Sequence, residues 1–159
     1  EGKGWQIAMA TAGFERGLML RSPARFQETA KRLVALYRQH ANDIVDLSVE
    51  DAVVKSFMDA EAYALSTYQT ASRLMNGGSI GSEASVNKIF WSELDQLMHE
   101  TAMRILAHHA ELLPGEHTES LVGNWMDGFL FAQSGPIYAG TNEIQRNIIA
   151  ERLLGMPRK

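Results

Sequence analysis

Cysteine is absent from the 159 residues, which excludes disulfides, thiolate metal sites and a cysteine nucleophile. Any redox chemistry therefore has to be brought by a cofactor. Proline is scarce, with four residues at 23, 114, 136 and 157, so long stretches run without a helix breaker. Fifteen lysines and arginines face nineteen aspartates and glutamates, for a formal net charge of −4. The basic residues are scattered, so there is no footprint for nucleic acid and no patch for an anionic membrane. No apolar run approaches the roughly 18 to 20 residues that span a bilayer, and the opening Glu1-Gly2-Lys3-Gly4-Trp5 has no signal-peptide layout. A soluble, cytoplasmic protein is the expectation. The chain does not open on methionine, which is what a piece of something longer would show.

What remains is an ordinary globular composition, 45% hydrophobic and 21% charged, at a length that suits one domain. Apolar positions recur with helical spacing and not in alternation. Ile7, Met9, Ala12, Phe14, Leu18 and Met19 fit a first helix, and Ser22-Pro23 then offers either a new helix start or a kink. Phe26, Ala30, Leu33, Val34 and Tyr37 form a core-facing stripe. Ser48 with Asp51 resembles a capping box, opening a third stripe of Val54, Phe57, Met58, Leu65, Tyr68 and Met75 that stops at Asn76-Gly77-Gly78. From about Ser82, Val86, Ile89, Phe90, Leu94, Leu97, Met98, Ala102, Ile105 and Leu106 make the most regular stripe. A loop over 112–124, a segment from about Leu121 to Ala132, and a last helix from Thr141 to Gly155 complete the chain. The predicted fold is all-α: an antiparallel up-and-down bundle of four main helices plus a short C-terminal one, in one domain over 1–159.

Chemistry in such a bundle has few candidates. A dinuclear metal centre needs Glu-x-x-His pairs, and no glutamate stands three residues before any of the five histidines, so no metal is expected. His108-His109 reads as a polar helix end. Glu15 interrupts the first apolar face between Phe14 and Leu18, and a partly buried carboxylate has the raised pKa that a general base near neutral pH requires. The same glutamate also fits a solvated or ion-paired surface position, and Arg16 fits a structural ion-pair partner. Gly140-Thr141-Asn142-Glu143 puts a glycine and a hydroxyl at a helix start, which suits an anionic or hydrogen-bonding ligand and equally suits plain capping by Thr141.

The tail from Ile137 through Tyr138-Ala139-Gly140-Thr141-Asn142-Glu143-Ile144-Gln145-Arg146 to Arg152 resembles the C-terminal signature of acyl-CoA dehydrogenases. The opening Glu1-Gly2-Lys3-Gly4 through Phe14-Glu15-Arg16 resembles the start of that family's C-terminal helical domain, and Glu83-Ala84-Ser85 through Lys88 and Phe90 resembles its third long helix. The resemblance implies FAD as cofactor and an acyl-CoA thioester as substrate. A glutamate would remove the α-proton while the β-hydrogen leaves as hydride to the flavin. In the medium-chain type that glutamate follows the tail tyrosine, where this chain has Ala139. In the isovaleryl type the tail reads Ala-Gly-Thr and the base sits on the first helix before an arginine. This chain has both halves of that arrangement, Ala139-Gly140-Thr141 and Glu15-Arg16, so Glu15 takes the role of base. Gly140, Thr141 and Glu143 fall on the flavin side, Arg16 and Tyr138 on the substrate side.

Two departures from the family concern the flavin contacts that a neighbouring subunit normally receives. After Tyr37 the family places an arginine four residues on and then Phe-Gly, whereas this chain has Ala41-Asn42-Asp43-Ile44-Val45, with Arg38 one turn earlier as the substitute. The family's Gln and Gly-Gly near the end of the third long helix fall on Arg104 and Ala107-His108. A subunit of a hetero-oligomer, completed by a paralogue, would account for a retained base with altered trans contacts; a homo-oligomer with drifted contacts is the alternative. The resemblance implies electron-transfer flavoprotein as acceptor and places the family's N-terminal and middle domains outside this chain. Against the enzyme stand a non-catalytic helical assembly module of the same fold and an oxidase or nitroalkane-type flavoenzyme.

Overall fold

The computed structural model describes the backbone of residues 2–17, 21–44, 46–111 and 120–158, with side chains at 9, 12–17 and 120–124 outside the description. Six helices follow in order: α1 Gly4–Gly17, α2 Pro23–His40, α3 Leu47–Met75, α4 Glu83–Leu106, α5 Ser120–Ala132 and α6 Asn142–Ile148. No strand occurs among the described residues. The long helices α2 to α5 form the expected bundle and α6 is the short C-terminal helix, with α1 ahead of them.

The boundaries have local causes. Pro23 starts α2 at a position where a missing N–H costs nothing, so Ser22-Pro23 is a helix start and not a kink. The start of α3 lies earlier than Ser48: Asp46 is its N-cap, with Oδ1 accepting from the Ser48 backbone N–H at 2.9 Å. An acceptor two residues before the apolar run displaces the capping box expected at Ser48-Asp51. At the other end Gly77 takes a left-handed φ of 81° and Gly78 N–H reaches back to the Arg73 carbonyl at 3.0 Å, which stops the helix. Thr141 caps α6, which continues through a π turn over Ile149–Leu153 to Leu154.

Helix α4 is the axis of the molecule, packed against α2, α3, α5 and α6. Phe26, Leu33, Tyr63, Trp91, Met98 and Leu106 are completely or almost completely buried around it. The α5 side closes tightly because residue 128 is glycine: a Cβ there would lie 2.2 Å from His99 Nε2. The stripe proposed for α3 is corrected by the fold. Val54, Phe57, Met58, Leu65, Tyr68 and Met75 are all exposed, and the face turned inward is Val49, Val53, Ser56, Ala60, Tyr63, Ala64 and Thr67. Small and hydroxyl-bearing residues let α3 approach α2 and α4, and the larger apolar side chains were left outside. On α1, Trp5 and Ile7 are exposed; Met9, Ala12, Phe14, Leu18 and Met19 fall outside the described side chains. Among the described residues no helix is long and apolar enough to cross a membrane.

Candidate active site

The tail segment folds into a corner on the end of α4. After α5 the chain turns over 133–140, and Asn142 N–H closes the turn onto the Pro136 carbonyl at 2.9 Å. Gly140 sits at φ 87°, and a Cβ added there would come 2.7 Å from Gln145 Nε2. Glycine is thus demanded twice, by the left-handed backbone and by the approach of Gln145. Gln145, buried, donates from Nε2 to the carbonyls of Ala139 and Gly140 at 3.2 and 3.3 Å. Thr141 Oγ1 accepts from Ile144 N–H at 3.4 Å, which is the capping role, while its hydroxyl hydrogen serves the Glu143 carboxyl.

Beneath this corner lies a buried polar network that the sequence reading did not find. Lys88, with no exposed surface, donates from Nζ to Asn142 Oδ1 at 2.6 Å. Ser92 Oγ accepts from Asn142 Nδ2 at 3.1 Å. Burial pushes the Lys88 ammonium below the usual lysine range, partly countered by the nearby Glu143 and Glu93 carboxylates. Ser85, Lys88, Ser92, Asp95 and His99 are all buried on α4 and recur at three- and four-residue steps. That polar heptad-like stripe was the available signal, overshadowed by the apolar one beside it. Glu143 itself is exposed, and its carboxyl is held below the usual range, first by its own backbone N–H and then by the Thr141 hydroxyl. Arg146 bridges to Glu93 of α4, fastening the far side of α6.

Tyr138 packs against Trp91, with ring centroids 5.9 Å apart, and its hydroxyl accepts from Arg21 Nη2. Tyr138, Gly140, Thr141 and Glu143 are therefore held together in one corner. Glu15 and Arg16 fall in the last turn of α1, outside the described side chains. Arg38 stands apart, exposed on a groove of about 400 Å³ between α2 and α3 with Tyr37, Glu50 and Phe57.

A second cleft, of about 600 Å³, joins the two places where the sequence departs from the family pattern. His40 closes α2, Asp43 and Asp46 come from the α2–α3 connection, Arg104 from the last turn of α4, and Ala107 and His108 from the 3-10 turn after it. Arg104 is spent inside it, donating to Asp46 Oδ2 at 2.8 Å and Ser48 Oγ at 2.6 Å. Hydrogen bonds from Ser48, followed by Arg104, hold the Asp46 carboxyl below its usual range. Ala107 has φ 48°, a left-handed backbone that favours glycine. The histidine rings of 108 and 109 stack 4.1 Å apart although they are sequence neighbours, because the chain has tightened into a 3-10 turn over Ala107–Glu111. Among the described residues no cluster of three or more potential metal ligands occurs.

The two sites differ in their fitness for a flavin. The tail corner offers an exposed turn at Gly140 and a Thr141 hydroxyl shared with the Glu143 carboxyl, which fit a hydrogen-bonding cofactor edge. The cleft offers two aspartates, an already paired arginine and a Cβ where a backbone would have to approach, which do not fit a pyrophosphate.

A family model described as acyl-CoA dehydrogenase, C-terminal domain, matches residues 2–154. Acyl-CoA dehydrogenase IpdE1 of Mycobacterium tuberculosis is 34% identical over 163 residues, covering 99% of this chain and 40% of that protein. Its namesake in Mycolicibacterium smegmatis is 36% identical over 164 residues, covering 99% and 38%. The chain thus spans about two-fifths of the length of the curated relatives it matches. Among solved structures, the Tcur3481-Tcur3483 steroid ACAD superposes with a TM-score of 0.80 at 21% identity, over 98% of this chain and 40% of that one, a likeness of fold. The ChsE4-ChsE5 complex from Mycobacterium tuberculosis gives 0.68 at 26% identity, over 87% and 36%. On the strength of the match along nearly its whole length, the chain belongs to the acyl-CoA dehydrogenase family as its C-terminal helical domain.

Proposed function

We propose that this domain serves an FAD-dependent acyl-CoA dehydrogenase in the α,β-dehydrogenation of an acyl-CoA thioester, with Glu15 as the base. The family match over residues 2–154 carries the reading. Bound FAD would supply the acceptor for the β-hydride. Glu15 takes the α-proton onto its carboxylate, and Arg16 and Tyr138 line the substrate side. Gly140, Thr141 and Glu143 hold the flavin from within the subunit, with Arg38 directed at a neighbouring subunit's site. Ala139 cannot accept a proton, so the base has to come from elsewhere, and the Glu15-Arg16 pair supplies it. Electron-transfer flavoprotein is the electron acceptor in this reading.

The test is Glu15→Gln in the full-length flavoprotein. Loss of a general base lowers kcat by roughly 10²- to 10⁴-fold with flavin retained. Unchanged turnover would leave only an assembly module of the same fold, and fast reoxidation of the reduced flavin by oxygen would move the chain to the oxidases.

A second reading concerns assembly. The cleft that does not fit a pyrophosphate favours a hetero-oligomer, in which a paralogous partner completes this subunit's flavin site and the reciprocal site takes none. Two of the similar structures carry paired subunit names, Tcur3481-Tcur3483 and ChsE4-ChsE5. One flavin per subunit in a purified full-length homo-oligomer would sink this reading.

A further inference from the structure

We infer that Lys88 is a positioning residue: through Asn142 its buried ammonium sets the geometry of the tail turn that presents Gly140 and Thr141. Its bearing on the flavin rests on the proposed assignment of those two residues to the cofactor side. Asn142 is the joint between core and turn. Its backbone N–H closes the turn onto the Pro136 carbonyl at 2.9 Å. Its side-chain Oδ1 accepts from Lys88 Nζ at 2.6 Å, and its Nδ2 donates to Ser92 Oγ at 3.1 Å. Asn142 is buried and lies between Thr141 and Glu143, so a shift of either neighbour pulls on an amide held by α4. The turn needs such a hold. Ala139 and Gly140 take left-handed φ values of 56° and 87° in succession, a conformation that disfavours alanine, and Gln145 fastens only their carbonyls. Stability alone does not account for a lysine at this position. Lys88 has no exposed surface and forms no ion pair among the described residues. The nearby carboxylates of Glu93 and Glu143 are both bridged to Arg146. A buried ammonium with an amide oxygen as its partner loses more hydration than a methionine of similar length, which would fill the same space. What the ammonium adds is a short, charge-assisted hydrogen bond that fixes the orientation of the amide.

The full-length flavoprotein carrying Lys88→Met, Asn142→Leu or both is compared with the unaltered protein. Chemical denaturation, hydrogen–deuterium exchange over residues 137–142 and flavin dissociation are the three readouts. Either single variant leaves a buried polar group without its partner. Each is expected to lower stability, to speed exchange over 137–142 about tenfold and to weaken flavin retention by a similar factor. The double variant removes both partners, so stability is expected to recover while the turn stays loose and the flavin stays weakly held. A lysine that only filled the core would not give that split. Recovery of all three readouts together in the double variant overturns the inference, and so do single variants with unchanged exchange over 137–142. Where a single variant does not fold, the double variant decides alone: turn protection and flavin retention equal to the unaltered protein reject the role. Thr141→Val tests the underlying assignment separately. If it weakens flavin retention and Lys88→Met does not, the positioning role fails and the assignment of the tail stands. If neither alters flavin retention while Lys88→Met still loosens the turn, the flavin assignment fails and Lys88 still sets the turn.

Discussion

Helices α3 and α4 are long neighbours that pack against each other, and they treat their side chains in opposite ways. Helix α4 buries Trp91, Leu94, Met98, Ile105 and Leu106, and it also buries Lys88, Ser92, Asp95 and His99. Helix α3 buries mostly small or hydroxyl-bearing residues and leaves Met58, Leu65 and Met75 in solvent. The difference follows from coverage. A helix surrounded by four others has little outer face on which to place polar groups, so each must find a partner inside. A peripheral helix keeps a free face, and apolar residues on it carry no such obligation. Lys88 and Ser92 find theirs in Asn142 of the tail corner, and Asp95 finds Arg25 of α2.

The largest effect expected is at the centre of that axis. Trp91→Ala removes a buried indole whose centroid lies 5.1 Å from the Arg21 guanidinium and 6.0 Å from Lys88 Nζ, and should cost about 3–5 kcal/mol of unfolding free energy in chemical denaturation. A cost near zero would mean that α4 is not the core. Next comes Asn142→Ala, which strips Lys88 of the hydrogen bond seen for it and should cost about 1–3 kcal/mol. Its pH signature sharpens the point. Burial lowers the Lys88 pKa in the folded chain from the ordinary 10.5, so in the window between the lowered value and 10.5 the unfolded chain binds more protons. Unfolding free energy therefore rises as pH climbs through that window, and the penalty is complete below it. Lys88→Met should flatten this rise; an unchanged profile would place the buried charge elsewhere.

The fold was legible because helical periodicity and capping chemistry are local. Pro23, Gly77 and Thr141 ended or began helices where their backbone preferences require. The inward face of α3 was not legible. Its large apolar residues and its small ones both recur at helical spacing, and only the approach distance to α2 and α4 decides which stripe can enter. The polar network escaped for the converse reason: Lys88 read alone is a surface residue, and its burial follows from α6 folding over it. Glu15 and the tail turn were singled out from the residues, and only the family resemblance gave them proposed roles. The partnership of Arg21 with Tyr138 spans 117 positions, and no local pattern announces it.

A smaller effect, of opposite sign, is expected where α4 ends. Ala107 holds φ 48° and ψ −126°, a region that strains any side chain by about 1–3 kcal/mol, against about 0.5–1 kcal/mol of entropy lost on introducing glycine. Ala107→Gly should therefore stabilise the chain by about 1 kcal/mol in thermal or chemical unfolding. Destabilisation would show that the 3-10 turn and its histidine stack depend on the alanine.

The smallest effect separates a free face from one that is covered in the assembled protein. In dilute solution of the chain, Met58→Ser and Leu65→Ser remove side chains that are 64% and 70% exposed, and should change unfolding free energy by less than about 0.5 kcal/mol each. If the stripe packs against another subunit through the helical bundle, the same substitutions in the full-length protein should weaken assembly while leaving the chain's own unfolding as it was. Sedimentation and denaturation of the two variants read these outcomes separately. A large, concentration-independent loss of stability in the chain alone would mean that the outer face of α3 is part of the core, and the contrast with α4 would disappear.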